Sequence, residues 1–117
     1  MKGIAMNASP DIYQSTARIL KALADPKRLR IIDMLSCREL CACELLSTFS
    51  CTQPTLSHDM RVLVHAGLVR ERREGRSIYY RLDHDRFAAL GSTLAALSQP
   101  KLDCICNRTE EDATPCA

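Results

Sequence analysis

Tryptophan is absent from this 117-residue chain, and aromatic side chains make up only 4% of it. That leaves little for an aromatic-rich β-sandwich, whereas the 46% hydrophobic content suits a core of Leu, Ile, Val and Ala packed between helices. There is no Cys-x-x-Cys motif, no βαβ pattern, no Gly-rich phosphate loop and no acid–base constellation, so a small thiol enzyme fits badly. No apolar run approaches the ~20 residues needed to cross a bilayer, and no apolar signal region follows Met1. The expectation is a cytoplasmic protein with no membrane partner. Its length suits one domain, small enough to gain from a partner subunit.

A net excess of either charge is also lacking. A net charge of +2 does not by itself imply nucleic acid, so the argument rests on where the charge lies. Arg61, Arg70, Arg72, Arg73, Arg76 and Arg81 cluster between Gln53 and Leu82, against only Asp59, Glu71 and Glu74.

Cysteine, by contrast, is plentiful: residues 37, 41, 43, 51, 104, 106 and 116. An odd number in a reducing compartment is not a disulfide framework, which makes metal binding or redox chemistry the leading reading.

Ile12, Thr16, Ile19, Leu20 and Leu23 recur at helical spacing from Asp11 to the Asp25-Pro26 stop. Asp25 caps a second helix opened by Pro26, with Leu29, Ile32 and Leu35 as its buried stripe, ending near Ser36-Cys37. A short third helix is expected over 39–48. Thr52 or Gln53 caps a fourth, opened by Pro54 and ended by Gly67, which buries Leu56, Met60, Leu63 and Val64. Residues 68–73 and 76–82 read as strands joined by a Glu74-Gly75 turn, with Ile78, Tyr80 and Leu82 on one face. A last helix over 85–98 buries Phe87, Leu90, Leu94 and Leu97 before Pro100. The expected organisation is a domain over 1–100 and a flexible, Cys-containing tail over 101–117.

The class is therefore mainly α with a small β-hairpin, and the order of elements matches a winged helix-turn-helix. Gln53, Thr55, Ser57 and His58 offer short polar groups to base edges and phosphates from the second helix of the pair, Arg61 reaches phosphate one turn on, and Arg72, Arg73 and Arg76 make a cationic wing. The expected partner is double-stranded DNA.

The segments "ALADPKRLRIIDMLS", "ELCACELL", "QPTLSHDMRVLVHAGLV" and "REGRSIYYRL" resemble the ArsR/SmtB family of winged-helix metal-sensing repressors. Within it, "LSCRELCACELL" and the late Cys104-Ile-Cys106 resemble arsenical-resistance operon repressors. The resemblance implies a homodimer that holds operator DNA when metal-free and releases it when a thiophilic ion, As(III) or Sb(III), binds. It places the dimer interface on the first and last helices, around Ile19 and Leu90.

Soft As(III) or Sb(III) suits three thiolates, whereas structural Zn²⁺ wants four ligands. The family's Cys-x-Cys-x2-Cys arsenic motif is incomplete here, with Leu46 at its third position. Cys41 and Cys43, at i and i+2 of a regular helix, diverge by about 200°, so sharing an ion would require unwinding. Cys37 is the local candidate for the third thiolate, Cys104, Cys106 or Cys116 the tail's alternatives, and Cys51 a small buried residue. A Cd(II)-, Pb(II)- or Zn(II)-responsive repressor and a Zn-binding interaction domain are the rival readings. A Zn²⁺ site starting from Asp83, His84 and Asp85 lacks partner ligands in Leu94-Ala-Ala-Leu-Ser98-Gln.

Overall fold

The computed structural model describes residues 10–100. In chain order the elements are α1 (Pro10–Leu23), α2 (Pro26–Leu35), β1 (Leu40–Cys41), α3 (Ala42–Thr48), α4 (Gln53–His65), β2 (Val69–Glu74), β3 (Ser77–Leu82) and α5 (His84–Ser98). The expected tail, with Cys104, Cys106 and Cys116, lies outside the described residues.

Local chemistry sets the boundaries. The Asp25 carboxylate accepts the Arg28 backbone N–H at 3.1 Å, with Pro26 at the first helical position, where a missing N–H costs nothing. Thr52 caps α4 by accepting the Thr55 N–H. At the other end of α4 the Leu68 and Gly67 N–H groups bond the Leu63 and Val64 carbonyls, with Gly67 at φ 83°. This is a Schellman ending, which needs the left-handed conformation glycine adopts without strain. A Cβ there would also lie 2.5 Å from Arg86 Nη1.

A three-stranded antiparallel sheet has the order β1-β3-β2. Glu74 pairs with Ser77, so the hairpin turn is Gly75-Arg76, one residue later than expected, with Gly75 at φ 63°. Leu40 pairs with Tyr80 and Cys41 with Tyr79. The expected third helix therefore starts late: 40–41 form a strand, and the helix begins at Ala42.

Ile31, Leu35, Leu45, Met60, Leu63 and Leu68 are the most deeply buried large side chains. Full burial of such a side chain contributes about 1.5–3 kcal/mol. Ile31, not Leu29, completes the α2 stripe; Leu29 is 51% exposed. Of the four apolar residues expected to be buried on α5, only Leu90 is; Phe87 is half-buried, and Leu94 and Leu97 are exposed.

Candidate nucleic-acid interface and thiol site

The outward side of α4 carries Gln53, Thr55, His58 and Arg61, all exposed, with Ser57 half-buried beside them. Thr55 is engaged in the cap, its Oγ1 accepting from the Thr52 hydroxyl at 3.0 Å. The opposite side holds Leu56, Met60 and Leu63 in the core.

Asp59, on the same helix, is 5% exposed. Its Oδ1 accepts from Arg28 Nη1 at 2.9 Å, and Lys27 Nζ lies 2.8 Å from Oδ2. Arg28 Nε also donates to the Ala22 carbonyl at 2.6 Å. This network ties α4 to the start of α2 and the end of α1, fixing the angle at which α4 projects. In the sequence Asp59 reads only as an acid among arginines; its i, i+4 spacing from Leu63 and i+3 from Leu56, on the apolar side of the helix, is the signal that could have found it.

The three wing arginines have different environments. Arg76, at the turn, is exposed and makes no ion pair among the described residues. Arg73 lies 3.3 Å from the Glu71 carboxylate. Arg72 is exposed but engaged by neighbouring carboxylates: it donates to Glu39 Oε1 at 2.7 Å and Oε2 at 3.1 Å, and to Glu74 Oε1 at 2.6 Å. Its guanidinium also stacks over the Tyr79 ring at 4.5 Å. The hydrogen bond from Arg72 lowers the Glu39 pKa below its ordinary range, and Glu39 and then Glu74 raise that of Arg72.

The thiols sit just behind this surface. Cys41 is the N-cap of α3, in extended conformation, and its sulfur accepts the Glu44 N–H at 3.4 Å. Glu44 Oε1 accepts the Cys41 N–H at 2.8 Å, closing a capping box. Because Cys41 stands outside the helix, the divergence expected of two helical positions does not arise. Interaction with the Cys41 side chain, followed by partial desolvation, pushes the Cys43 thiol pKa up. No helix need unwind to bring this pair together.

Cys37 is exposed beside the Ser36 hydroxyl. Among the described residues no group of three His, Cys, Asp or Glu side chains is placed to hold one ion, so Cys37 does not join the pair in this conformation. Cys51 is half-buried and packs on the core. Asp83 caps α5 and pairs with Arg70 at 2.9 Å, while His84 is exposed at the helix start.

Cys41 and Cys43 line a cleft of about 270 Å³ that also touches Gln53 and Ser57 of α4 and Arg76 and Ile78 of the wing. The thiol pair, the helix face and the wing thus border one space.

A winged helix with this order of elements has known counterparts. The profile of bacterial regulatory proteins of the arsR family matches residues 25–71. The chain is 44% identical to the arsenical resistance operon repressor of Staphylococcus xylosus over 80% of this chain and 90% of that protein. It is 41% identical to the Staphylococcus aureus protein of the same description over 84% and 94%. The solution structure of a homodimeric winged helix-turn-helix DNA-binding domain from Mycobacterium bovis, a possible ArsR-family regulator, superposes with TM-score 0.62 at 34% identity, covering 73% of this chain and 82% of that one. Among the described residues no helix is long and apolar enough to cross a membrane. By fold and by sequence the chain belongs to the ArsR family of bacterial transcriptional repressors, not to an enzyme family.

Proposed function

We propose that the protein is a metalloid-responsive repressor: a homodimer that binds operator DNA and releases it when As(III) or Sb(III) binds cysteine thiolates. The observation that carries this reading is the shared cleft, in which Cys41 and Cys43 stand beside both DNA-facing elements. Gln53, Thr55, Ser57, His58 and Arg61 read and position on DNA, and Arg73 and Arg76 contact the backbone. Arg72 holds the wing in place through Glu39 and Glu74 rather than serving as a free phosphate contact.

Dimerisation is supported by the apolar side chains left outside the protomer core, Leu20 on α1 and Leu94 and Leu97 on α5, on the helices the family resemblance names. Two protomers would present paired α4 helices to two half-sites.

An ion bound to Cys41 pulls on β1, which is paired with wing strand β3. The third thiolate comes from Cys37 after a local rearrangement or from the 101–117 tail, with Cys104, Cys106 and Cys116 as candidates; Cys37 is favoured because it requires no ordering of a longer segment, which costs about 1–2 kcal/mol per residue. The test is to titrate arsenite, antimonite, cadmium and zinc into the complex with its own promoter DNA. Release by arsenite and antimonite at the lowest concentrations supports the reading; release only by cadmium or zinc contradicts it.

A further inference from the structure

The cations of the domain differ in whether a carboxylate holds them. Lys27, Arg28, Arg38, Arg70, Arg72 and Arg73 are each paired with one. Arg18 and Lys21 of α1 are exposed and make no ion pair among the described residues, yet both border the same groove. That groove, of about 310 Å³, lies between α1 and the last turn of α4; Ala22, Val62 and Ala66 give it an apolar lining, His65 borders it on the α4 side, and no carboxylate does.

Helix capping does not account for the two cations. Positive side chains are favourable at a helix C-terminus, but the Val62, Leu63 and Val64 carbonyls already accept the Ala66, Leu68 and Gly67 N–H groups. Subunit pairing through Leu20 does not account for them either. Arg18 stands about 200° around α1 from Leu20, with Lys21 and Ala22 within about 60° of Arg18, so a dimer contact at Leu20 leaves this side of the helix open. On α4, His65 follows Arg61 by four residues and His58 by seven, the spacing that puts all three on one side of the helix, and all three are exposed. The groove therefore continues the outward side of α4, one turn beyond Arg61 and across onto α1.

We propose that, on the reading that α4 lies in the major groove of operator DNA, this groove holds one phosphate of the DNA backbone, bound by Arg18 and Lys21 with the His65 ring N–H. The adjoining deoxyribose rests on Ala22, Val62 and Ala66. A sugar–phosphate backbone supplies both halves of that match, an anionic oxygen for the cations and a largely apolar sugar edge for the small side chains, whereas an inorganic anion supplies only the first. Apolar walls also exclude water from around the charges, which strengthens their attraction. Phosphate contacts position a protein without reading sequence, so the contribution of α1 is to fix the tilt at which α4 enters the major groove.

The test uses the full, reduced chain without metal ions and its own promoter duplex, in which single phosphates are replaced one at a time by uncharged methylphosphonates. The unaltered chain is compared with the Arg18→Gln, Lys21→Gln double variant and, separately, with Arg61→Gln. One phosphate per half-site should weaken binding of the unaltered chain roughly tenfold when neutralised, the scale of one charge-assisted hydrogen bond, and have no further effect on the double variant. A different phosphate should couple in the same way to Arg61. The double variant should also show a slope of log affinity against log salt shallower by about 0.9 for each groove, hence about 1.8 for a dimer, and the charge-retaining Arg18→Lys, Lys21→Arg should restore it. Sedimentation checks the assembly: loss of the dimer in the double variant would place the two residues in the subunit contact and overturn the proposal. Methylphosphonate penalties identical in the double variant and the unaltered chain would overturn it as well. If they are identical while Arg61 does couple to a phosphate, the groove alone is wrong; if neither couples, the placement of α4 on DNA fails and this proposal with it.

Discussion

Cys41 pairs with Tyr79 across the β1–β3 ladder. The Tyr79 ring carries the guanidinium of Arg72 at 4.5 Å, and Arg72 reaches back to Glu39, two residues before Cys41, at 2.7 Å. A closed circuit of backbone pairing, ring contact and ion pair therefore joins the capping thiol to the wing, and any ligand that shifts Cys41 acts on it.

That circuit separates the arginines. Arg76→Ala should make the slope of log affinity against log salt shallower by about 0.9 for each phosphate it no longer neutralises, hence about 1.8 for a dimer. Arg72→Ala should weaken operator binding with the slope unchanged, because its charge is already spent on Glu39 and Glu74. Salt titrations of both variants decide this, and an equal change of slope would return Arg72 to the phosphate-binding set.

Asp59→Ala should destabilise the fold and blunt operator preference together, since the same carboxylate is buried and sets the seat of α4. Hydrogen bonds to charged groups contribute about 1.5–3 kcal/mol each, and the Arg28–Asp59 bond at 2.9 Å is one. Urea unfolding would measure a loss of that order; a change below about 0.5 kcal/mol would show that the network does not hold the helix.

For the dimer, the informative residues are Leu94 and Leu97, 37% and 49% exposed in the protomer. Leu97→Glu should give folded monomers that bind DNA poorly. Leu90→Glu tests something else, because Leu90 is buried in the protomer's own core and its substitution should unfold the chain. Sedimentation and circular dichroism on both variants distinguish these outcomes.

Much of the fold is legible in the sequence wherever the deciding force is local. Asp25-Pro26 and Thr52 with Pro54 announce helix starts through capping, and Gly67 announces a helix end through its conformation. Alternation along Ile78, Tyr80 and Leu82 announces the buried wing face. What escapes depends on partners distant in sequence. Cys41 reads as a helical residue until β3 is present to pair with it, and Asp59 and Arg72 read as surface charges until Arg28 and Glu39 are brought beside them. Leu29 follows the helical spacing but has nothing packed over it in the protomer.

The carboxylates give the fold an acid limit. Hydrogen bonds from Arg72, from the Cys41 N–H and from the Arg86 N–H lower the pKa values of Glu39, Glu44 and Asp83, in that order. A carboxyl with a depressed folded-state pKa contributes stability that is full above its ordinary value, 4.5 for Glu and 3.8 for Asp, and is lost as pH falls through the folded value. Stability should therefore hold down to about pH 5 and decline below it, and Glu39→Gln should flatten part of that decline. The same acid slope in Glu39→Gln as in the unaltered chain would remove Glu39 from the account.

The most direct test of the central claim is arsenite release from operator DNA in the Cys41→Ser, Cys43→Ser double variant. Linkage requires that an ion which weakens DNA binding bind the DNA complex more weakly by the same factor, a coupling typically of about 1–3 kcal/mol or 5–150-fold. The unaltered chain should show that factor in both directions. The double variant should bind the operator with unchanged affinity and stay bound at every arsenite concentration; its release at the same arsenite concentration as the unaltered chain would contradict the account.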